Sequence, residues 1–401
     1  MSARDVVAPH LVTVSGQDGP GIAARLFATL AAEGVAVEDV EQVRVHGRLL
    51  LCVEVTVAPS VVEALRTTLA RGLEAAGVDA HVEPLVEAET DAASERNLVT
   101  VLAPDIDAGT LESVSASVAA CGGNIERIVR LAAYPVHSYE LTVVGSDLDE
   151  LRRRLATEAA RHEVDIAVQA SGLHRRAKHL IVMDADSTLL QGEVIDLLAE
   201  RRGRGAEVAA VTEAAMAGDL DFEEALRRRV RLLAGLKESD LEAVQASMVL
   251  TPGARTLVRT LKRLGYDIAV VSGGFTQVIG ALVRDLGIDH LAANELVLDG
   301  GILTGELCGP IVDRAGKAEA LLRFAAAAGV PVARTIAVGD GANDIDMLAA
   351  AGLGIAFNAR PVVQRAADTA LSVPYLDAIL FLLGISRSEV EEADRLEDSL
   401  L

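Results

Sequence analysis

Three features predict an α/β protein in which two βαββαβ units precede a doubly wound parallel-sheet domain with a helical cap. Leu11-Val12-Thr13-Val14 and Leu98-Val99-Thr100-Val101 open two segments with the same succession of apolar runs and turns. Beyond Lys178 the pattern changes to short apolar runs alternating with amphipathic helices, as expected of a parallel sheet covered on both faces. The stretch from Gly192 to about Val249 interrupts that alternation with Arg- and Glu-rich helical sequence and no strand, as a cap inserted after the first strand would.

In the first unit, residues 1–88, a strand at Leu11 to Gly16 leads through the loop Gln17 to Gly21 into a helix from Ile22 to Gly34. Strands at Val35 to Val45 and Arg48 to Val57, a helix from Ser60 to Gly77 and a strand at Val78 to Leu85 complete it. The second unit, 96–172, repeats the order: strand Asn97 to Ala103, helix Gly109 to Cys121, strands Asn124 to Ala132 and Val136 to Val144, helix Asp147 to His162, strand Val164 to Ala170. This is a ferredoxin-like layout. Glu87 to Glu95, acidic and aperiodic, reads as a linker, and Ser171 to Lys178 as a second boundary. In the third domain, 178–401, the strands are Leu180 to Asp184, Ile268 to Ser272, Thr335 to Asp340 and Gly354 to Ala356.

Composition narrows the function classes. The chain has 401 residues, 51% of them hydrophobic, enough for two or three domains with ample cores. A formal net charge of -22 argues against nucleic acid or an anionic membrane as partner. An anionic substrate must therefore be attracted locally. No apolar stretch is long enough to span a membrane and the N-terminus lacks a signal-peptide core, so a cytoplasmic location is expected. The three cysteines, Cys52, Cys121 and Cys308, are far apart and suggest neither a disulfide framework nor a thiolate metal site.

In open parallel sheets, ligands gather at the carboxyl ends of the strands. Here three polar groups occupy that position: Asp184 of Asp184-Ala185-Asp186-Ser187-Thr188, Ser272 of Ser272-Gly273-Gly274, and Asp340. Two carboxylates one residue apart at the end of a buried strand raise each other's pKa unless a cation lies between them. A bound divalent metal is the natural remedy.

This ordered set, with Lys317 and Gly339-Asp340-Gly341-Ala342-Asn343-Asp344, resembles the haloacid dehalogenase superfamily from Lys178 onward, with no expected motif missing. The resemblance implies phosphomonoester hydrolysis with Mg²⁺ as cofactor. Asp184 is then the nucleophile that forms an aspartyl-phosphate, and Asp186 the residue that protonates the leaving alkoxide and later activates water. Asp184, the backbone carbonyl of Asp186 and Asp340 are the expected metal ligands, with Asp344 behind them. Ser272 and the amides of Gly273 and Gly274 would bind phosphate oxygens, and Lys317 would neutralise developing charge.

Within the cap, Glu193, Met216, Phe222 and Arg229, together with Asn343, match the serine-specific phosphatases in type and spacing. Glu193 would face an ammonium and Arg229 a carboxylate, while Met216 and Phe222 would exclude water. Phosphoserine is the substrate this implies, and serine biosynthesis the setting. A phosphotransferase or phosphoprotein phosphatase using the same site, or a non-catalytic amino-acid-responsive regulator, are the alternatives. The two N-terminal units resemble ACT domains, on their layout and on the loop Asp18-Gly19-Pro20-Gly21. Asp18, Gly19 and Gly21, and Gly109 in the second copy, are the candidate effector residues, with an amino acid such as serine as effector. Edge-strand pairing between chains makes a homodimer the expected assembly.

Overall fold

The computed structural model describes residues 7–74, 76–85, 96–172, 179–217 and 220–398, without the side chains of 216, 217 and 398. The proposed linker Glu87 to Glu95 lies outside them. The chain divides into two compact units, Met1–Ala93 and Ser94–Leu401.

The first unit is a four-stranded antiparallel sheet in the order β2-β3-β1-β4, with β1 at Ala8–Gln17, β2 at Ala36–Val45, β3 at Arg48–Val57 and β4 at Val78–Pro84. Alternation in β1 and β3 sends Val12, Val14, Leu51, Val53 and Val55 to one face. Helices Ile22–Ala32 and Pro59–Glu74 cover that face with Leu26 and Leu30, and with the stripe Leu65, Leu69 and Leu73 at four-residue spacing. Strand β2 is exposed along its length.

The second unit begins with the same architecture: β5 (Arg96–Ala103), β6 (Asn124–Ala132), β7 (His137–Val144) and β8 (Asp165–Ala170), in the order β6-β7-β5-β8. Its two helices, Ala108–Ala120 and Leu148–His162, cover one face through Val99, Val101, Val114, Val118, Leu151 and Leu155. The other face is buried in part. Leu102, Leu131, Ala132, Val136 and Ala167 join the same apolar core as Leu376, Leu380 and Phe381 of the C-terminal domain. Polar contacts fix this docking: Gln169 Nε2 donates to the Leu382 carbonyl at 2.9 Å, and the Ser372 amide to Asp165 Oδ2 at 2.7 Å. Nearby, the Tyr134 hydroxyl bonds Glu391, and the Arg387 guanidinium lies 5.3 Å from the Tyr134 ring centre.

The C-terminal domain is built on a seven-stranded sheet, β12-β11-β10-β9-β13-β14-β15, with β9 at Leu180–Asp184, β10 at Asp267–Phe275, β11 at His290–Asp299, β12 at Ile302–Cys308, β13 at Thr335–Gly339, β14 at Gly354–Phe357 and β15 at Thr369–Leu371. All neighbouring pairs are parallel except β11 with β12. Ile181 of β9 is flanked by Ile268 and Ile336, so the first strand is central and its two neighbours come from opposite directions of chain growth. That switch point opens a crevice at the ends of β9, β10 and β13.

The insertion forms four helices, Val194–Arg202, Gly205–Ala217, Phe222–Leu232 and Glu238–Ser247, as the sequence predicts. Strands β11, β12 and β15 are additional to that reading. The β11–β12 hairpin reaches the cap, where Gly235 N and Leu303 O, and Leu303 N and Leu236 O, bond at 2.8 Å. Gly305, at φ +87, lies where a Cβ would stand 3.0 Å from Ala234 Cβ and 3.2 Å from Arg231 Cα. A side chain there would push the cap off its support.

Candidate active site

Asp184 ends the fully buried strand β9, and the next five residues, Ala185–Leu189, fold into a tight turn. Ser187 takes a left-handed conformation, φ +56, and the turn closes by Leu190 N to Ala185 O at 2.8 Å. This turn keeps Asp184 and Asp186 beside one another in one cleft of about 610 Å³. Backbone strain of this kind persists where surrounding structure enforces it.

Oδ1 of Asp184 is committed: it accepts from the Ala185 amide and lies 2.8 Å from Lys317 Nζ. Lys317 is 1% exposed and its other partner is Asp344 Oδ1, at 2.7 Å. Asp344 is held through both oxygens, because Oδ2 takes the Gly341 amide at 2.9 Å. Burial alone would lower the Lys317 pKa, but its two carboxylates outweigh that and hold it above the ordinary lysine range.

Burial pushes the Asp184 carboxyl well up, and Lys317 does not fully offset this because Asp344 and Asp186 add like charge. Asp340, hydrogen-bonded by Thr188 Oγ1 at 3.2 Å, is pushed up to about 6, again chiefly by burial. Carboxylate oxygens of Asp184, Asp340 and Asp344 lie within 4.8 Å of one another. A cluster of hard oxygens that one ammonium leaves under-neutralised fits a divalent cation.

Asp186 is placed from two sides. The Val194 amide donates to Oδ1 at 2.8 Å and Ser272 Oγ to Oδ2 at 3.1 Å. Ser272 Oγ in turn accepts from the Gly274 amide at 2.8 Å. Gly274 lies close against this pair, since a Cβ would stand 3.0 Å from Ser272 Oγ and 3.1 Å from Asp186 Oδ2 and would press on both. Burial raises the Asp186 pKa, favouring the protonated carboxyl that an acid catalyst needs.

On the cap side, Glu193, Asp196, Phe222 and Arg229 line the cleft, with Gly273, Gly274 and Asn343 on the core side. Glu193 is pushed up to about 7 by burial and by Asp186, Asp340 and Asp196, with Arg229 opposing. Burial lowers the Arg229 pKa against the pull of Glu193 and Asp196. Its Nε is buried and has no hydrogen-bond partner among the described residues. The Met216 side chain lies outside the described residues. The remaining candidates of the catalytic domain line this one cleft, except Ser272 and Asp344, which are buried behind its wall and bonded to Asp186 and Lys317.

The candidate effector residues are elsewhere. Asp18 pairs with Arg44 at 2.8 Å, and its amide donates to Gly47 O. Gly21 precedes the first helix at φ +87. In the second copy the helix is capped by Asp107, which accepts from the Thr110 amide and hydroxyl, so Gly109 lies inside the first turn.

Several residues escape motif reading. Asn294, 1% exposed on β11, donates to Gly273 O at 2.8 Å and accepts from the Val312 amide at 2.8 Å. It ties the Ser272 loop to the segment leading into the Lys317 helix, Arg314–Ala327. Thr251 donates to Thr188 O at 2.7 Å and steadies the turn after the nucleophile. Asp196 and Arg360 join the cleft wall with no motif to mark them. The β11–β12 hairpin could have been found from Asp299-Gly300-Gly301 between apolar runs.

Residues 181–349 match the haloacid dehalogenase-like hydrolase family, and residues 9–83 and 96–169 match ACT domains. The chain is 55% identical over 391 residues to a phosphoserine phosphatase of Streptomyces coelicolor, covering 97% of this chain and 95% of that one. It is 49% identical over 388 residues to the phosphoserine phosphatase SerB2 of Mycobacterium tuberculosis, covering 96% and 95% respectively. Among solved structures, a probable phosphoserine phosphatase of Vibrio cholerae aligns over 77% of this chain and 91% of its own, with 33% identity and a TM-score of 0.59. A haloacid dehalogenase-family hydrolase of Salmonella enterica aligns over 72% and 98%, with 27% identity and a TM-score of 0.63. With this identity sustained over nearly the whole of both chains, the protein belongs to the phosphoserine phosphatases of the haloacid dehalogenase-like hydrolases, in the form that carries two ACT domains.

Proposed function

We propose that the enzyme hydrolyses O-phospho-L-serine to L-serine and phosphate through an aspartyl-phosphate on Asp184, with Mg²⁺ as cofactor, as the last step of serine biosynthesis. The observation that carries the substrate reading is Arg229, whose buried Nε has no partner among the described residues in a cleft that also holds Glu193. A buried unpaired donor is costly, and a substrate carboxylate satisfies it. Glu193 then takes the substrate ammonium, Phe222 covers the serine methylene, and Asn343 borders the phosphate.

Because Oδ1 of Asp184 is engaged, Oδ2 is the oxygen that attacks phosphorus. Asp184, the Asp186 carbonyl and Asp340 would hold the metal. Asp344, with both oxygens already committed, fixes Lys317 and the loop behind them. When bound, Mg²⁺ neutralises these carboxylates and a phosphoryl oxygen, so that anions can meet. Ser272 turns its hydroxyl from Asp186 Oδ2 to a phosphate oxygen, beside the amides of Gly273 and Gly274. The freed Asp186 carboxyl donates its proton to the departing serine alkoxide and then takes one from the water that attacks the intermediate. Lys317 balances the charge on the phosphoryl group.

We assign 178–401 to catalysis, and 1–88 and 96–172 to amino-acid sensing, with serine as effector through Asp18, Gly19, Gly21 and Gly109. We expect a homodimer, in keeping with the exposed edge strand β2. No helix among the described residues is long and apolar enough to cross a membrane, and we place the enzyme in the cytoplasm. Phosphate release from L-phosphoserine, with Mg²⁺ or chelator and with or without serine, tests the activity, its cofactor and its regulation. Turnover of phosphopeptides but not of free phosphoserine would overturn the substrate assignment.

A further inference from the structure

The cleft is lined by five carboxylates (Asp184, Asp186, Glu193, Asp196 and Asp340) and three cations (Arg229, Lys317 and Arg360). A phosphomonoester dianion must enter this negative wall in a chain whose net charge is -22. Two of the cations have roles already. Lys317 is held by Asp184 and Asp344, and Arg229, whose buried Nε has no hydrogen bond among the described residues, is the residue assigned above to the substrate carboxylate. Arg360 is exposed, and among the described residues its guanidinium has no hydrogen bond and no carboxylate within ion-pair distance.

The backbone of Arg360 is nonetheless fixed. Asn358, two residues before it, takes φ +46, a left-handed conformation rare outside glycine. Ala359 is buried, and Pro361 holds Arg360 extended at φ -67, ψ 154, where its carbonyl accepts the Val363 and Gln364 amides. The short helix that follows, Pro361–Gln364, packs on the Ala342–Asp344 turn beside Asp340. A cation without a partner among the described residues is thereby presented on the cleft wall, from a segment that packs on the metal-ligand side.

We propose that Arg360 is a capture residue for the phosphoryl group: it meets the incoming dianion ahead of Asp340 and Asn343, speeds its association, and goes on attracting the phosphate once this is held at Ser272 and Lys317. This rests on the phosphomonoesterase reading above but not on serine as the alcohol. The residue touches the ligand at entry, so its effect falls on kcat/KM and on phosphate affinity rather than on kcat.

The test uses the full chain with Mg²⁺ and the variants Arg360→Ala, Arg360→Lys and Arg360→Glu. At about 20 mM ionic strength, Arg360→Ala should lower kcat/KM for phosphoserine by roughly tenfold with kcat changed less than about twofold, and Arg360→Glu by more. Arg360→Lys should restore most of the loss, and the gap should narrow at about 300 mM. The same fold-loss is expected with p-nitrophenyl phosphate, which has no carboxylate; a loss confined to phosphoserine would mean that Arg360 holds the carboxylate and would overturn the proposal. Calorimetry with orthophosphate gives a readout independent of turnover, where Arg360→Ala should weaken binding about tenfold. Unchanged phosphate affinity and kcat/KM in Arg360→Ala would also overturn it. Failure of the wild type to turn over phosphoserine, with the calorimetric difference intact, would instead count against the substrate reading alone.

Discussion

Ser272 Oγ donates to Asp186 Oδ2 at 3.1 Å, so the hydroxyl proposed to bind phosphate and the proposed acid share a hydrogen bond before substrate arrives. Replacing Asp186 by Asn keeps an acceptor for the Val194 amide, presents an NH2 to Ser272 Oγ in place of the second acceptor, and removes the transferable proton. We expect kcat for phosphoserine to fall by about 10²–10⁴-fold with little change in folding. A substrate with a good leaving group, such as p-nitrophenyl phosphate, should suffer less in the first step; equal losses for both would contradict the acid role.

Lys317 is buried between two carboxylates, and its removal leaves both without their shared cation. Lys317→Met should destabilise the fold by roughly 3–5 kcal/mol in metal-free urea titrations, besides abolishing turnover. Adding Asp344→Asn should return part of that loss, as a double-mutant cycle would register.

Glu193 is pushed up to about 7, mainly by burial. It is ionised above that pH and neutral below, and only the ionised form attracts the substrate ammonium. Thus kcat/KM should drop about tenfold per unit as pH falls below about 7, mostly through KM. Glu193→Gln should lower the plateau and remove that limb of the pH profile.

Asp165 lies where the second ACT domain meets the catalytic domain, and burial pushes its carboxyl up to about 6. The folded state therefore holds the proton more tightly than the unfolded chain. Its stabilising contribution is present below about pH 4 and is lost as pH rises through about 6. Asp165→Asn retains an acceptor for the Ser372 amide without the buried charge. Thermal melts should show it more stable than wild type by about 1–2 kcal/mol near pH 8, with the difference vanishing near pH 4.

Gly253 opens the helix Ala254–Arg263 at φ +82, and a Cβ there would stand 2.1 Å from Asp377 Oδ1 and 2.8 Å from its amide nitrogen. Asp377 is also the partner of Arg387 at 2.9 Å. Gly253→Ala should cost about 1–3 kcal/mol in equilibrium unfolding, through strain at positive φ and displacement of Asp377.

The catalytic frame was legible because its chemistry is tied to strand ends. Asp184, Ser272 and Asp340 each close a buried apolar run, and the parallel sheet brings such ends together whatever the loop lengths. Lys317 was legible only through its place in an ordered set, since a lysine at a helix start is ordinarily a surface residue. Asn294 and Thr251 left no comparable trace: one polar residue in a strand and one before a proline acquire their roles from contacts that cross the sheet. The docking of the second ACT domain was equally hidden. Leu102 and Ala167 belong to strands that would look the same if their outer face met water, and only the burial of both faces of β5 separates the two copies. Strand β15 escaped because three residues, Thr369–Leu371, carry too little periodicity.

That double burial of β5 bears on where the chain can be shortened. A fragment starting at residue 179 would leave the Leu382 carbonyl and the Ser372 amide without their partners in β8, and would strip Leu102, Leu131, Val136 and Ala167 from a shared core. One starting at Arg96 keeps all of these. The smallest fragment that leaves these contacts intact therefore begins with the second ACT domain, a module that sequence layout alone would class as an accessory.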